Sequence, residues 1–223
     1  MTNHDTPDWS QIDTVCLDMD GTVLDLRFDN FFWLEEVPRH YAERHGLEAG
    51  TALAELQPRL DAVRGTLDWY CVDYWSRQLA LDVLALKRAY RHHIRFLPGA
   101  TRFLDSVRAQ GKRVLLTTNA HPSTLAIKDQ QVGLASRFDA LISSHTLGVP
   151  KESCEFWQRL ASRESLALET TLFVDDSAPV LEAARAARVG WIYQVLQPDS
   201  TLPVASLRPN VPGIRSLADL LAA

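Results

Sequence analysis

Apolar positions along this chain follow two rhythms. Val15–Leu17, Val114–Thr117, Ala140–Ser143, Thr171–Val174 and Trp191–Val195 are short runs, mostly continuous in their apolar character rather than alternating. A strand covered on both faces reads that way, so each run predicts a buried parallel strand. Between them the spacing is helical. Residues 99–110 place Phe103, Leu104 and Val107 on one face, and Gly111 offers a stop just beyond. Residues 123–132, 153–165 and 178–188 read the same way. This alternation predicts an α/β fold built on a doubly wound parallel sheet.

The stretch from 26 to 95 breaks the rhythm. It predicts helices over 30–45, 51–64 and 81–95, no strand, and an aromatic segment between them, GTLDWYCVDYW at 65–75. The expected organisation is a core domain of residues 1–25 and 96–223, with a helical insertion at 26–95 directly after the first strand. Leu97-Pro98-Gly99 marks the return to the sheet. After Gln197 the prolines predict loop, with a last short helix near 216–222.

A hydrophobic fraction of 46% in 223 residues is ample for a large core. The net charge of −5 carries no basic footprint, which argues against a nucleic-acid polymer as partner. No apolar run approaches the roughly 20 residues of a membrane span, and the polar, acidic N-terminus does not read as a secretory leader. Cys16, Cys71 and Cys154 are odd in number and lack CxxC spacing, so the spacing supports neither a disulfide framework nor a zinc site. A reduced, cytoplasmic setting is expected.

The first strand ends in VCLDMDGT, residues 15–22, which puts Asp18 and Asp20 on one face. Buried carboxylates need cations or a metal. Ligands of parallel α/β sheets collect at the carboxyl ends of strands. There the other strands bring Thr117-Thr118-Asn119 and Asp175-Asp176-Ser177, and the loop SHTLGVPK delivers Lys151. Four carboxylates, a hydroxyl, an amide and an ammonium suit a phosphoryl group with Mg²⁺. Asp18 is placed to attack phosphorus, and Asp20 to protonate the leaving oxygen and then activate water. Taken singly, Asp-Gly is turn chemistry, Asp-Ser and Thr-Asn are helix caps, and a lone lysine is a surface charge. Their common place at strand ends is what makes a site. A calcium loop fits poorly, because the sixth position from Asp18 is Val23 where glycine is needed.

In order, DMDGT, TTN, the Lys151 of GVPKE, and FVDDS resemble the four motifs of the haloacid dehalogenase (HAD) superfamily, and the insertion sits where that family carries its helical C1 cap. The resemblance implies a HAD-like core, Asp18 as nucleophile, Asp20 as acid/base, Thr118, Asn119 and Lys151 around the phosphate, and Mg²⁺ as cofactor. It also implies Asp176 as a direct metal ligand, Asp175 direct or through water, and the Asp20 carbonyl as a third ligand. An acid at position 20 favours phosphate transfer over dehalogenation. Longer stretches, among them LDLRFDNFFWLEEVPRHYAERHGL, GTLDWYCVDYWSRQL and TTNAHPSTLAIK, are similar to GMP/IMP 5′-nucleotidases of this superfamily, which implies a purine nucleoside monophosphate as substrate. A sugar-phosphate phosphatase or a phosphomutase is the alternative enzyme. A phospho-accepting receiver domain is the alternative from another class, but here the acid pair comes last and the insertion has no role.

Trp33, Trp69, Tyr70, Tyr74 and Trp75 read first as core of the insertion. Trp69 and Tyr70, at the expected bend between helices, are also a candidate platform for a base. Asn30 and Arg27 are candidate substrate contacts. His121 reads as a loop residue, the histidines at 40, 45, 92 and 93 as structural, and Cys16 as core. Monomer and homodimer stay open.

Overall fold

The computed structural model describes residues 6–207 and 211–221. Six strands form one parallel sheet: β1 (Thr14–Leu17), β2 (Arg113–Thr118), β3 (Ala140–Ser143), β4 (Thr171–Asp175), β5 (Trp191–Val195) and the short β6 (Gly213–Ile214). Their order is β3-β2-β1-β4-β5-β6. Five of these strands follow from the apolar runs. The two residues of β6, which lie after Pro212, are too few to carry a pattern.

The chain builds outward from β1 in both directions, so the order reverses beside it. Leu17 is level with Leu116 of β2 and with Val174 of β4. The backbone N–H of Asp18 donates to the Val174 carbonyl, 3.0 Å away, and so the next residues of β1 and β4, Asp18 and Asp175, emerge side by side. Binding crevices of open α/β sheets lie at such a reversal.

Both sheet faces are covered, which is why the strands read as continuous apolar runs. Eleven helices follow one another along the described chain: α1 (Arg27–Phe31), α2 (Val37–His45), α3 (Ala49–Ala62), α4 (Leu67–Tyr70), α5 (Val72–Leu79), α6 (Val83–Ala89), α7 (Ala100–Ala109), α8 (Pro122–Val132), α9 (Ser144–Leu147), α10 (Cys154–Glu164) and α11 (Ala178–Ala186). Val15 and Leu17 pack into one cluster with Phe103, Leu104 and Leu125 of α7 and α8. Cys16, on the other face, packs with Phe156, Trp157 and Leu160 of α10 and Val180 and Leu181 of α11.

Residues 27–93 contain helices and turns but no strand, and they own a third core built from Phe32, Val37, Tyr41, Leu56, Val72, Trp75, Leu79 and Val83. The helix expected at 30–45 starts earlier and runs through a π turn, Phe32–Glu36, between α1 and α2. Pro38 explains the wide turn: it has no N–H to give, and its ring crowds the carbonyl four residues back. The helix expected over 81–95 is shorter; Asp82 caps α6, and a 3₁₀ turn, Arg91–His93, follows it. The aromatic segment folds as α4 and α5 rather than as a loop. Near the C-terminus the last turn is 3₁₀, Leu217–Leu220, held by a Ser216/Asp219 capping box.

Candidate active site

A cavity of about 470 Å³ opens at the carboxyl ends of β1, β2 and β4, under α3, α4 and the α1–α2 helix. Asp18, Asp20, Asn30, Trp69, Tyr70, Thr118, Asn119, Lys151, Asp175 and Asp176 all line it. The sequence candidates from both parts of the chain are thus brought to one space. Arg27 is the exception. It faces a second, smaller cavity with Phe31 and Glu35, because residues repeating every four positions share one helix face, whereas Leu26, Asp29, Asn30 and Trp33 turn to the first. His121 also stays off the lining, and its Nδ1 accepts the Ser123 N–H at the start of α8.

Lys151 is the hub of the floor. Its ammonium donates to Asp18 Oδ1 at 2.5 Å, to Asp175 Oδ2 at 2.7 Å and to the Thr117 carbonyl at 3.0 Å. Asp175 Oδ1 accepts the Ser177 N–H, which fixes its carboxylate plane. Asp18, Asp175 and Asp176 each bring an oxygen within 4.8 Å of the others. Burial first pushes the carboxyls of Asp18, Asp175 and Asp176 above the usual range, even against Lys151; neighbouring carboxylates add to it, Asp175 on Asp18, Asp175 and Asp18 on Asp176, and Glu152 on Asp175. Among the described residues, one ammonium faces three carboxylates. An all-oxygen set with an excess of two negative charges fits a hard divalent ion such as Mg²⁺. The Asp20 carboxylate stands outside this set, bound instead by Lys128 at 2.6 Å.

Gly21 has a φ of +93°, and a Cβ there would lie 2.8 Å from the Asp176 carboxyl carbon and 2.9 Å from Pro198. The glycine therefore permits a close approach to Asp176 as well as the turn itself. Thr118 Oγ1 accepts the Ala120 N–H, leaving its own proton to donate. Asn119 lines the cavity with its amide engaged: Oδ1 accepts the Lys151 N–H, and Nδ2 donates to Glu152. Tyr70 OH donates to the other Glu152 oxygen at 2.6 Å. Asn30 Nδ2 donates to Asp199 at 2.8 Å. The Arg64 guanidinium stacks over Trp69, 4.9 Å from the ring centroid. Trp75 is core, as its first reading had it; it is 1% exposed and its Nε1 donates to the Trp69 carbonyl.

A haloacid dehalogenase-like hydrolase family profile matches residues 12–188. The chain belongs to this hydrolase family. It is 41% identical over 192 residues to the GMP/IMP nucleotidase YrfG of Escherichia coli (strain K12), covering 86% of each chain. Among solved structures it resembles a HAD phosphatase from Thermococcus onnurineus, with a TM-score of 0.76 at 20% identity over 94% of this chain and 96% of that one. A putative beta-phosphoglucomutase from Thermotoga maritima aligns with a TM-score of 0.67 at 18% identity, over 94% and 97% of the two chains.

In this HAD-like hydrolase a second ionic cluster escaped sequence reasoning. Lys128 of α8 donates to Asp20 at 2.6 Å and to Asp29 of α1 at 2.5 Å, while Lys87 of α6 donates to the other Asp29 oxygen at 2.8 Å. The available signal was charge on an apolar stripe: Lys87 stands four residues after buried Val83, and Lys128 three after buried Leu125. Glu152 was likewise passed over beside Lys151, and Trp33, Gln57 and Arg64 also line the cavity.

Proposed function

We propose that this hydrolase is a Mg²⁺-dependent phosphatase of purine nucleoside 5′-monophosphates, of the GMP/IMP kind, acting in the cytoplasm through a phosphorylated Asp18. One observation carries the reading: Asp18 sits buried beside Lys151, Asp175 and Asp176 on the floor of a cavity whose opposite wall is Trp33, Trp69 and Tyr70. That pairs a phosphate end with an aromatic end at a volume suited to a nucleotide; binding pockets span roughly 300–1,000 Å³. The identity with a GMP/IMP nucleotidase supports the same substrate class. The third hydrophobic core supports treating residues 26–95 as a cap over a core domain of 1–25 and 96–223.

In this reading the Asp18 carboxylate attacks phosphorus, and the bond to the sugar oxygen breaks with its electron pair on that oxygen. Asp20 gives the leaving oxygen its proton. Asp20 then takes a proton from water, which attacks the aspartyl-phosphate and frees phosphate and Asp18. Thr118 and Lys151 hold the phosphate oxygens, with Asn119 positioning Lys151 through its backbone. Asp18, Asp175, Asp176 and the Asp20 carbonyl would hold Mg²⁺, which supplies the charge that lets an anionic phosphate approach a carboxylate. Trp69 stacks the base.

The test is phosphate release, with Mg²⁺, from a panel of purine and pyrimidine nucleotides, sugar phosphates and phosphoglycolate. A preference for GMP and IMP is expected. Preference for a sugar phosphate overturns the nucleotide reading and keeps the chemistry, and a phosphoryl group returned to the sugar instead of to water makes the chain a mutase.

A further inference from the structure

Away from the carboxylates, the fold assembles a set of nitrogen and sulfur donors that spacing alone hides. Cys71 lies between α4 and α5, His121 between β2 and α8, and His145 in α9. One ligand atom from each lies within 4.8 Å of the other two. The rings of His121 and His145 meet edge to face with centroids 5.0 Å apart. Nε2 of His145 is buried and has no hydrogen-bond partner among the described residues. An orphaned, buried ring nitrogen is rare enough to need an explanation.

We propose that Cys71, His121 and His145 form a second metal site, made for Zn²⁺ or a similar borderline transition ion, that pins the segment around Cys71 to the loop after β2 and to α9 after β3. Thiolate and imidazole donors select this class of ion, as oxygen donors select Mg²⁺. The carboxylates of Asp68 and Asp73 act electrostatically on His145, and Asp73 reaches to 3.8 Å from His121 Nε2, so a cation enters a negative surround. Three protein ligands leave a fourth tetrahedral position to water. A tetrahedral ion holds such ligand atoms about 3.3–3.7 Å apart, so occupancy draws the three segments slightly closer. Binding through either ring nitrogen of His121 displaces its bond from the Ser123 N–H, one helix-cap hydrogen bond that metal coordination outweighs.

The position gives the ion a consequence. Tyr70 and Val72, on either side of Cys71, line the large cavity, as does Ala120 beside His121. A bound ion therefore fixes one wall of the cavity to its floor and restrains its opening.

The experiment is a Co²⁺ titration of the full chain in excess Mg²⁺, followed by absorption. The expected result is a thiolate-to-cobalt charge-transfer band with tetrahedral d–d bands, saturating at one Co²⁺ per chain and bleached by Zn²⁺. Cys71→Ser removes the sulfur but keeps an oxygen to cap α5, where Cys71 Sγ now accepts the Tyr74 N–H, and it abolishes the band. His145→Ala weakens Co²⁺ binding by at least about tenfold. No band in the wild type overturns the proposal. So does a band that survives Cys71→Ser, which would belong to Cys16 or Cys154. For the pinning, Zn²⁺ should slow amide exchange over residues 66–79 by about tenfold in the wild type and leave Cys71→Ser unchanged. Equal slowing in both variants overturns it.

Discussion

Around Lys151 one ammonium faces the carboxylates of Asp18, Asp175 and Asp176; around Lys128 two ammoniums, its own and that of Lys87, face Asp20 and Asp29. The two clusters share a cavity and use the same groups, yet their charges sum differently. In the second the sum is zero, and its groups shift in both directions. Burial works against ionisation, yet Lys128 and Lys87 together hold the Asp29 carboxyl well below its usual range and Lys128 is itself held above its own, whereas Asp20, with Lys128 as its cation, is still pushed up to about 7 by burial and by Asp29 and Asp18. Lys87 goes the other way, lowered by burial and by the charge of Lys128, because it has a single carboxylate partner. The face of Phe32, 4.3 Å below its ammonium, compensates in part. In the first cluster the sum is negative and the carboxyls are pushed up. The balanced cluster ties the proposed acid/base Asp20 to α1, α6 and α8, whereas the unbalanced one waits for a cation brought from outside.

The largest effect expected from either cluster is chemical. Asp18→Asn should lower turnover by at least about 10⁴-fold, as loss of a nucleophile does, while thermal unfolding shows a protein at least as stable as the wild type. The fold survives because the substitution removes one of the surplus negative charges. If Asp18→Asn instead unfolded the chain, the Lys151 cluster would be structural and the contrast would collapse.

Next comes the balanced cluster. Lys128→Met should destabilise by about 3–5 kcal/mol in denaturant unfolding, because it leaves the largely covered carboxylates of Asp20 and Asp29 with Lys87 alone to answer them. A loss below 1 kcal/mol, roughly the level of an exposed ion pair, would show that the cluster opens to water in solution.

Smaller again is the response to the metal. Saturating Mg²⁺, at about 100 times its dissociation constant, should stabilise the wild type by about 2.7 kcal/mol. Asp176→Asn should raise stability in metal-free buffer by about 0.5–2 kcal/mol and blunt the response to Mg²⁺, the opposite of what removing a carboxylate partner from the Lys128 cluster does. Differential scanning calorimetry with and without chelator checks both. Destabilisation by Asp176→Asn without metal would mean that its charge is already compensated.

The unbalanced cluster was legible in the sequence and the balanced one was not, for a physical reason. Asp18, Thr118 and Asp175 sit at the ends of buried strands, so the apolar run before each one points to it, and parallel pairing brings the ends together. Lys151 was legible only through the order of motifs. Lys128, Lys87 and Asp29 lie mid-helix on three different elements, and no local pattern says that α1, α6 and α8 converge. The same limit hid the Cys71, His121 and His145 group, whose members come from two connections and the short helix α9. The sheet followed from continuous apolar runs, whereas the bounds of α6 and the π turn before α2 depended on Asp82 and Pro38, whose effects are felt only once neighbouring turns form.

The smallest test asks whether the Lys151 cluster is held from above as well as from below. Tyr70 OH donates to Glu152, Glu152 accepts from Asn119, and Asn119 accepts the Lys151 N–H. This tie leads from the aromatic wall through the Glu152 carboxylate to the backbone of the residue that organises the floor, and Glu152 also adds to the negative charge felt by Asp175. Tyr70→Phe keeps the ring and removes one hydrogen bond, the charge-assisted one to the carboxylate. The expected loss is about 1–2 kcal/mol of stability. Because Asn119 still holds the Lys151 backbone, the stabilisation by Mg²⁺ should be unchanged, and a double-mutant cycle with Glu152→Gln should show coupling while one with Lys128→Met shows none. Coupling between Tyr70 and Lys128 would mean that the two clusters act as one network, and that the charge of the second is part of what tunes the first.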